Sequence, residues 1–548
     1  MKNEYTDTDI AIVGYGPVGA VLGLILARQG YRVQICERWQ TRYPLPRAVC
    51  IDHEMYRMLC AIGLRDALPS ISHPGEIYRW MNAQWRELIS IDWSAESVSG
   101  GSEVNFVHQP TLEATLDEAI RVQQNITLNL GCEAIKISQD NHYAYILLVD
   151  QENKQERTVK ARYVIGADGA NSIVREAIGS GWEDKGFEAD WLVVDVLPND
   201  GVKLDIPAAA QYCNPQRPTT IVPAGVKNGR YFRRWEFMRL PGEDRETLEN
   251  ERQAWQLLEP WVKPEHATMV RHKLYTFRSL IADTWRAGRL LIAGDAAHVM
   301  PPFMGQGMCA GLRDAWNLGW KLDLILSGKA EERLLDSYMA ERRPHVSDVI
   351  DLSMYMGKII CIPDDAEAAR RDEAFFNGTA TPPPPFPSLV TGLIDEQKDE
   401  RDNNLAGLLS PHSLVRSSHK NGRLDDVIGP AGFKLILTEK ATALNPPQRK
   451  LLEQTYTSVW QLVSDKGQVL EQTQLAERDE KFLDFMRANS IVAMLVRPDF
   501  YIYGSCSSMD GIDKLLNRFM NALIGNGIKI GRAERVSFSS SNPDIVHY

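Results

Sequence analysis

The sequence predicts an α/β chain in which a nucleotide-binding fold carries an inserted antiparallel sheet and is followed by a smaller α/β unit. Three observations predict it. The first 35 or so residues read strand, glycine turn, helix, strand; two later strand ends run into small-residue loops; and a proline run separates these motifs from a C-terminal stretch of alternating strand-like and helical segments.

The opening unit has an apolar, β-prone run from Asp9 to Val13, helical apolar spacing from Pro17 to Arg28, and a second β-prone run from Arg32 to Cys36. A strand from Tyr163 to Ile165 runs into Gly166-Ala167-Asp168-Gly169, and a strand from Leu290 to Ala293 runs into a Gly/Pro-rich loop and a helix. Between them, roughly 182–285, alternating and aromatic-rich runs such as 231–238 fit an inserted antiparallel sheet. Alternation puts Tyr231, Arg233 and Trp235 on one face and Phe232, Arg234 and Glu236 on the other, without saying which face meets the nucleotide fold. The run Thr381 to Pro387 holds too many prolines for a helix interior or a central strand, so a linker is placed at 376–404. The expected units are 1–181 and 286–375 for the nucleotide fold, 182–285 for the inserted sheet and 405–548 for the C-terminal unit. Since every nucleotide motif lies upstream of the linker, the region after about residue 400 is expected to be dispensable for nucleotide binding.

Composition narrows the function classes. With 44% hydrophobic and 24% charged residues and a net charge of -11, the chain is an ordinary soluble type, poorly suited to tracking nucleic-acid phosphates. No stretch approaches the roughly 18 apolar residues of a membrane span, and the acidic N-terminus is unlike a signal peptide, so a cytoplasmic protein with no membrane or nucleic-acid partner is expected. The eight cysteines form no C-x-x-C pair or Cys/His cluster, which argues against metal or dithiol chemistry.

Gly14-Tyr15-Gly16-Pro17-Val18-Gly19 follows a strand and opens a helix, and Glu37 closes the next strand 23 residues after the first glycine. In that context the glycines permit a tight turn and close backbone approach, the helix start offers unpaired N–H groups to a pyrophosphate, and the acid accepts from ribose hydroxyls. Arg38 and Arg47 are candidates for added charge near the adenosine phosphates. This motif alone does not separate NAD from FAD.

The later loops do separate them by resemblance. The run 289–302, holding Gly294, Asp295 and His298, followed by Gly305-Gln306-Gly307-Met308 and the helix through Arg313, resembles the class A flavoprotein hydroxylases, as does the Asp168 motif. The likeness is to the 3-(3-hydroxyphenyl)propionate hydroxylase and phenol hydroxylase branch, through Pro46-Arg47-Ala48 with Ile51-Asp52, through 234–238, and through 424–429 with 496–499. It implies an FAD-binding Rossmann-like (GR2-type) domain with an inserted antiparallel-sheet substrate domain and a C-terminal thioredoxin-like domain, the last without redox cysteines. Asp295 would bind a ribityl hydroxyl, Asp168 would serve FAD and the nicotinamide, Gln109 would sit at the flavin edge, and Gly305, Gln306, Gly307 and Met308 would face the flavin pyrimidine. The family usually has Asn where this chain has Cys309, which removes a side-chain amide contact there.

The resemblance further implies that NADH or NADPH reduces FAD and that O2, through a flavin C4a-hydroperoxide, hydroxylates a small phenolic ring such as a 3-hydroxyphenylpropionate. Pro301, Pro302, Phe303 and Met304 look like an apolar wall against water, and Asp52 is the candidate catalytic base for the phenol proton, with helix N-cap as its structural alternative. A larger polycyclic phenol as substrate, or a non-catalytic flavin-fold binding protein, stays open at this point. So do the choice of nicotinamide and a possible homodimer.

Overall fold

Five parallel strands, Tyr5–Val13, Val33–Glu37, Ile126–Leu130, Glu156–Gly166 and Leu290–Ile292, form the spine of the first sheet in the computed structural model, which describes residues 5–395, 405–440 and 444–530. The expected linker residues 396–404 and the end of the C-terminal unit, 531–548, lie outside the described residues. Val13 pairs with Gly166 and Gly166 with Ile292, so three strand ends finish in one row and their loops emerge side by side. The helix Pro17–Arg28 starts on proline, whose missing N–H costs nothing at the first position. It packs against the helix Gly307–Leu326 closely enough that a Cβ on Gly311 would meet Val18 Cγ2 at 2.6 Å and one on Gly319 would meet Ile25 Cγ2 at 2.7 Å.

The second sheet has eight strands, in the order His298–Val299, Ala267–Ala282, Trp182–Pro198, Arg230–Met238, Thr219–Lys227, Ala209–Cys213, Ile77–Asn82 and Glu87–Asp92. Its last two strands come from the first quarter of the chain, beyond the segment in which the sequence locates this sheet. One face buries Trp235, Phe237, Leu192 and Ile221 with Leu248 and Leu258 of two short helices. The other buries Trp191 and Val222 with Phe303, and packs Met238 against them. The face of Phe232, Arg234, Glu236 and Met238 therefore meets the nucleotide fold.

The C-terminal sheet runs strand Phe433–Leu437, helix Pro446–Gln454, strand Thr457–Ser464, helix Lys481–Ala488, strands Ala493–Val496 and Ile502–Cys506, then helix Gly511–Gly525, the thioredoxin-like succession. An added strand, Gln474–Glu477, pairs parallel to Thr457–Ser464. This unit is bolted to the nucleotide fold by buried charge. Arg497 donates to Glu341 Oε2 and Asp499 Oδ2, each at 2.7 Å, and to the Leu393 carbonyl at 2.9 Å; Arg57 grips Asp425 at 2.6 and 3.1 Å; Tyr501 Oη donates to Glu54 Oε1 at 2.9 Å. The proline-rich segment is no loose tether either, because Leu389 and Leu393 are buried and Phe386 lies under the Arg313 guanidinium at 5.2 Å. These contacts argue against the expectation that this region is dispensable. No helix among the described residues is long and apolar enough to cross a membrane.

Candidate active site

The three aligned loops define the site. Gly14 has φ +106°, and a Cβ there would meet the Ala167 carbonyl oxygen at 2.3 Å; one on Gly19 would meet the Gly14 carbonyl oxygen at 2.2 Å. These two glycines are thus required by the touching of backbone on backbone. Gly16 is different: its Cβ position is open space, and it caps the helix with no side-chain bond to the helix-start N–H groups among the described residues. Glu37 accepts from Tyr15 N and Trp39 N, both at 3.0 Å, with lone pairs to spare for a ribose. Arg38 and Arg47 are exposed at the rim, over the rings of Trp39 and Tyr43.

In the second loop Asp168 accepts from Ile173 N at 2.9 Å through one oxygen, while its other oxygen, Oδ1, is buried without a partner among the described residues. Burial raises its carboxyl above the ordinary value, against weaker opposing bonds from Ser172 and nearby amides. Arg175 reaches from this motif to the Ala296 carbonyl of the third loop at 3.4 Å. There, Gly294 turns at φ +62° and Asp295 projects exposed from a short 3-10 turn. Asp314 fixes that turn from behind by accepting from Gly294 N at 3.0 Å and pairing with His298 at 2.6 Å and Arg342 at 2.8 Å.

Gly305, at φ +64°, turns the chain into the helix Gly307–Leu326, whose cap residue Gln306 makes no side-chain cap bond. Gln306 Oε1 instead accepts from Arg313 Nη1 at 2.9 Å. Met308 is half-buried in the first turn, and the Cys309 thiol is fully buried 4.0 Å from the Cys50 carbonyl oxygen. Gln109 spends its side chain on the loop around Arg47: Oε1 accepts from Arg47 N at 2.9 Å and Ala48 N at 2.6 Å, and Nε2 donates to Glu113. Arg234 clamps the same loop from the sheet through the Arg47 and Pro46 carbonyls at 2.6 and 2.8 Å.

Asp52 occupies a crowded position. Its Oδ1 accepts from Met55 N at 2.9 Å, capping the helix His53–Leu59, and its Oδ2 accepts from Arg313 Nη2 at 2.6 Å. Burial pushes its carboxyl up, but Arg313, His53 and the Met55 amide outweigh that and hold it below the ordinary value. Arg313, which also donates to Glu54 at 2.6 Å, is a residue to which sequence reading gives no role of its own: it lies 261 positions from Asp52, and no local pattern announces the pair.

An open helix start on a glycine turn, an orphaned buried carboxylate oxygen and an exposed aspartate on the third loop are the donor and acceptor set that a dinucleotide with a ribityl chain requires. The comparisons agree. A family described as FAD binding domain matches residues 7–353, more than half the chain, and one described as HcaD C-terminal domain matches 407–522. A probable NADH-specific resorcinol 4-hydroxylase of Rhodococcus jostii (strain RHA1) is 31% identical over 90% of this chain and 91% of its own. The chain belongs to the class A FAD-dependent aromatic hydroxylases. A 3-(3-hydroxy-phenyl)propionate/3-hydroxycinnamic acid hydroxylase of Mycobacterium sp. (strain JLS) is 31% identical over 92% of this hydroxylase and 90% of its own chain. The crystal structure of the flavin-dependent monooxygenase PieE with FAD and substrate superposes with a TM-score of 0.76, covering 95% of this chain and 99% of that one, at 20% identity, a likeness of fold alone. The hydroxylase is thus an FAD-dependent monooxygenase that takes its electrons from NAD(P)H.

Proposed function

We propose that this hydroxylase adds one hydroxyl group to the ring of a small phenol, of the resorcinol or 3-(3-hydroxyphenyl)propionate kind, and that it prefers NADH. The observation that carries the reading is the aromatic wall opposite the flavin loop. Phe303 of that loop meets Trp191 edge-on at 5.7 Å and Phe187 at 5.6 Å, with Tyr78, Val222 and Met238 around them. Such a wall excludes water and holds a flat ring by edge and face contacts.

Gly14, Gly16 and Gly19 would admit the pyrophosphate of FAD, Glu37 its ribose, Asp295 its ribityl chain, and Gly305 to Met308 its pyrimidine ring. When bound, FAD supplies the two-electron activation of O2 that delivers an electrophilic oxygen to the ring. Asp52 and Arg313 hold Gln306 and the flavin loop in place, because both Asp52 oxygens are engaged and a carboxylate held below its usual range is a weak base. A cytoplasmic location fits eight cysteines that are all free.

The test is a phenol panel, including the two named above, offered to FAD-loaded protein with NADH and with NADPH, and with products identified by mass. Phenol-stimulated NADH oxidation with one added oxygen in the product is expected. Protein that takes up no flavin, or that oxidises NADH equally with and without every phenol, would overturn the proposal.

A further inference from the structure

If Asp52 is occupied, some other group must take the phenol proton, and the sheet face turned to the flavin loop carries one. We infer that the Glu236 carboxylate is the catalytic base that ionises the phenol, a conclusion that rests on the function proposed above.

Glu236 lies on the strand Arg230–Met238, on the face it shares with Met238, which packs in the aromatic cluster of Phe303 and Trp191. It is buried, with 11% of its side chain left exposed. Among the described residues its one close charged partner is Arg234 Nη1 at 3.7 Å, beyond hydrogen-bond length, and Arg234 spends four bonds elsewhere, on Asp195 at 2.7 and 3.0 Å and on the two loop carbonyls. Asp52 has both oxygens bonded, whereas Glu236 has a hydrogen bond on neither among the described residues.

Met238, on the same face of the strand, packs in one cluster with Cys50 and with Phe303 of the flavin loop. Burial, then the Asp52 and Glu236 charges, push the Cys50 thiol up to about 12, and Cys50 Sγ lies 3.9 Å from the Gly305 carbonyl oxygen. Charged and titratable groups face Glu236 from each neighbouring element: Arg234 on its own strand, Asp195 and Arg271 on the two next strands, Tyr78 on the far strand and Cys50 beneath. Burial raises the Glu236 carboxyl above its ordinary value; Arg234 and Arg271 oppose that and Asp195 adds to it. A buried carboxylate shifted toward neutrality is the better proton acceptor.

In the step itself the phenol O–H bond breaks, the proton moves to a Glu236 oxygen, and the electron pair stays on the phenolate. The ring becomes richer in electrons ortho and para to that oxygen, where an electrophilic oxygen attacks. The same proton returns when the product leaves as a phenol.

Glu236→Gln keeps the shape and removes the base, and Arg234 retains its other bonds. With resorcinol as probe and FAD-loaded protein, wild type is expected to bind the phenol ionised, by ultraviolet difference spectrum, and to form product from most of the NADH used. The variant is expected to hold FAD, melt as wild type, bind resorcinol un-ionised, and give roughly 100-fold less product per NADH. Wild-type yield and wild-type ionisation in Glu236→Gln would overturn this inference alone. Should the Gln variant fail to hold FAD, Glu236→Asp decides, its carboxylate standing one methylene back: lost ionisation with lost product supports the role, and neither loss overturns it. A wild type that makes no hydroxylated product from any phenol overturns both this inference and the function beneath it.

Discussion

Arg313 Nη2 stands 2.6 Å from Asp52 Oδ2, and the same guanidinium donates to Glu54 and Gln306, so one cation ties the flavin loop to the helix His53–Leu59. Burial weakens the charged form of Arg313, but Asp52 and Glu54 together raise it well above its ordinary value, and it stays a cation. Removing one partner of such a buried pair strands the other, at about 3–5 kcal/mol. Asp52→Asn should therefore melt well below wild type and bind FAD more weakly, while the folded, FAD-loaded fraction keeps most of its product per NADH. Thermal melts with and without FAD, and product yield, check this; an unchanged melt with a yield lost about 100-fold would return the base role to Asp52.

Arg497 makes the matching point at the other junction. Fully buried between Glu341 and Asp499, it closes a network that also holds Lys321 and Asn317 on the long helix behind the flavin loop. Arg497→Met should cost about 3–5 kcal/mol by leaving two carboxylates short of a cation. A chain ending near residue 405 should fare worse, with Arg57 stranded and Glu54 short of its Tyr501 bond, and should fail to retain FAD. Flavin content after purification is the measurement, and a truncated protein that is soluble and yellow would refute it.

The glycines of the first loop separate folding from binding. Gly14→Ala pushes a Cβ into the Ala167 carbonyl at a φ of +106° and should lose both FAD and stability. Gly16→Ala has open space and an ordinary backbone, so its melt without FAD should match wild type. Its FAD affinity should still fall, by roughly tenfold or about 1.4 kcal/mol, because a methyl group stands where a pyrophosphate must approach the helix start. Fluorescence titration with FAD checks it, and unchanged affinity would move the pyrophosphate elsewhere.

These contrasts show what was legible in the sequence. The three loops were readable because a positive φ at Gly14, Gly294 and Gly305 and a helix start at Gly16 are local demands, written in neighbouring residues. Strand alternation likewise sorted Phe232, Arg234 and Glu236 from Tyr231, Arg233 and Trp235 correctly. It could not say which set meets the flavin loop, since that depends on Trp191 and Phe303, which come from other elements. Nor could it show that Gln109 is spent on Arg47 and Ala48, or that Tyr501 reaches Glu54 across 447 positions. The proline run suggested a tether for the same reason: its prolines exclude helix and central strand, but only tertiary contact reveals Phe386 beneath Arg313.

His108 is buried against Phe232 at 4.8 Å, with Nδ1 bonded to Thr111 Oγ1 at 2.8 Å. Burial, helped by the charges of Lys227 and Arg234, lowers it to about 4; His412, buried beside Asp425 and Arg57, is lowered to about 3. Both are neutral in the folded protein where a free imidazole, near 6.5, would already take a proton. As pH falls from about 6.5 the unfolded chain therefore gains protons that the folded chain refuses. The stability these residues contribute is complete above about 6.5 and is lost as pH falls toward 4, by up to about 1.4 kcal/mol per pH unit for each. Urea midpoints measured between pH 7.5 and 4.5 should decline through this window. His108→Gln cannot titrate, so it should flatten the decline by one group's share whatever it does to stability at pH 7.5. A variant whose midpoints fall in parallel with wild type would show that His108 takes its proton in the folded state.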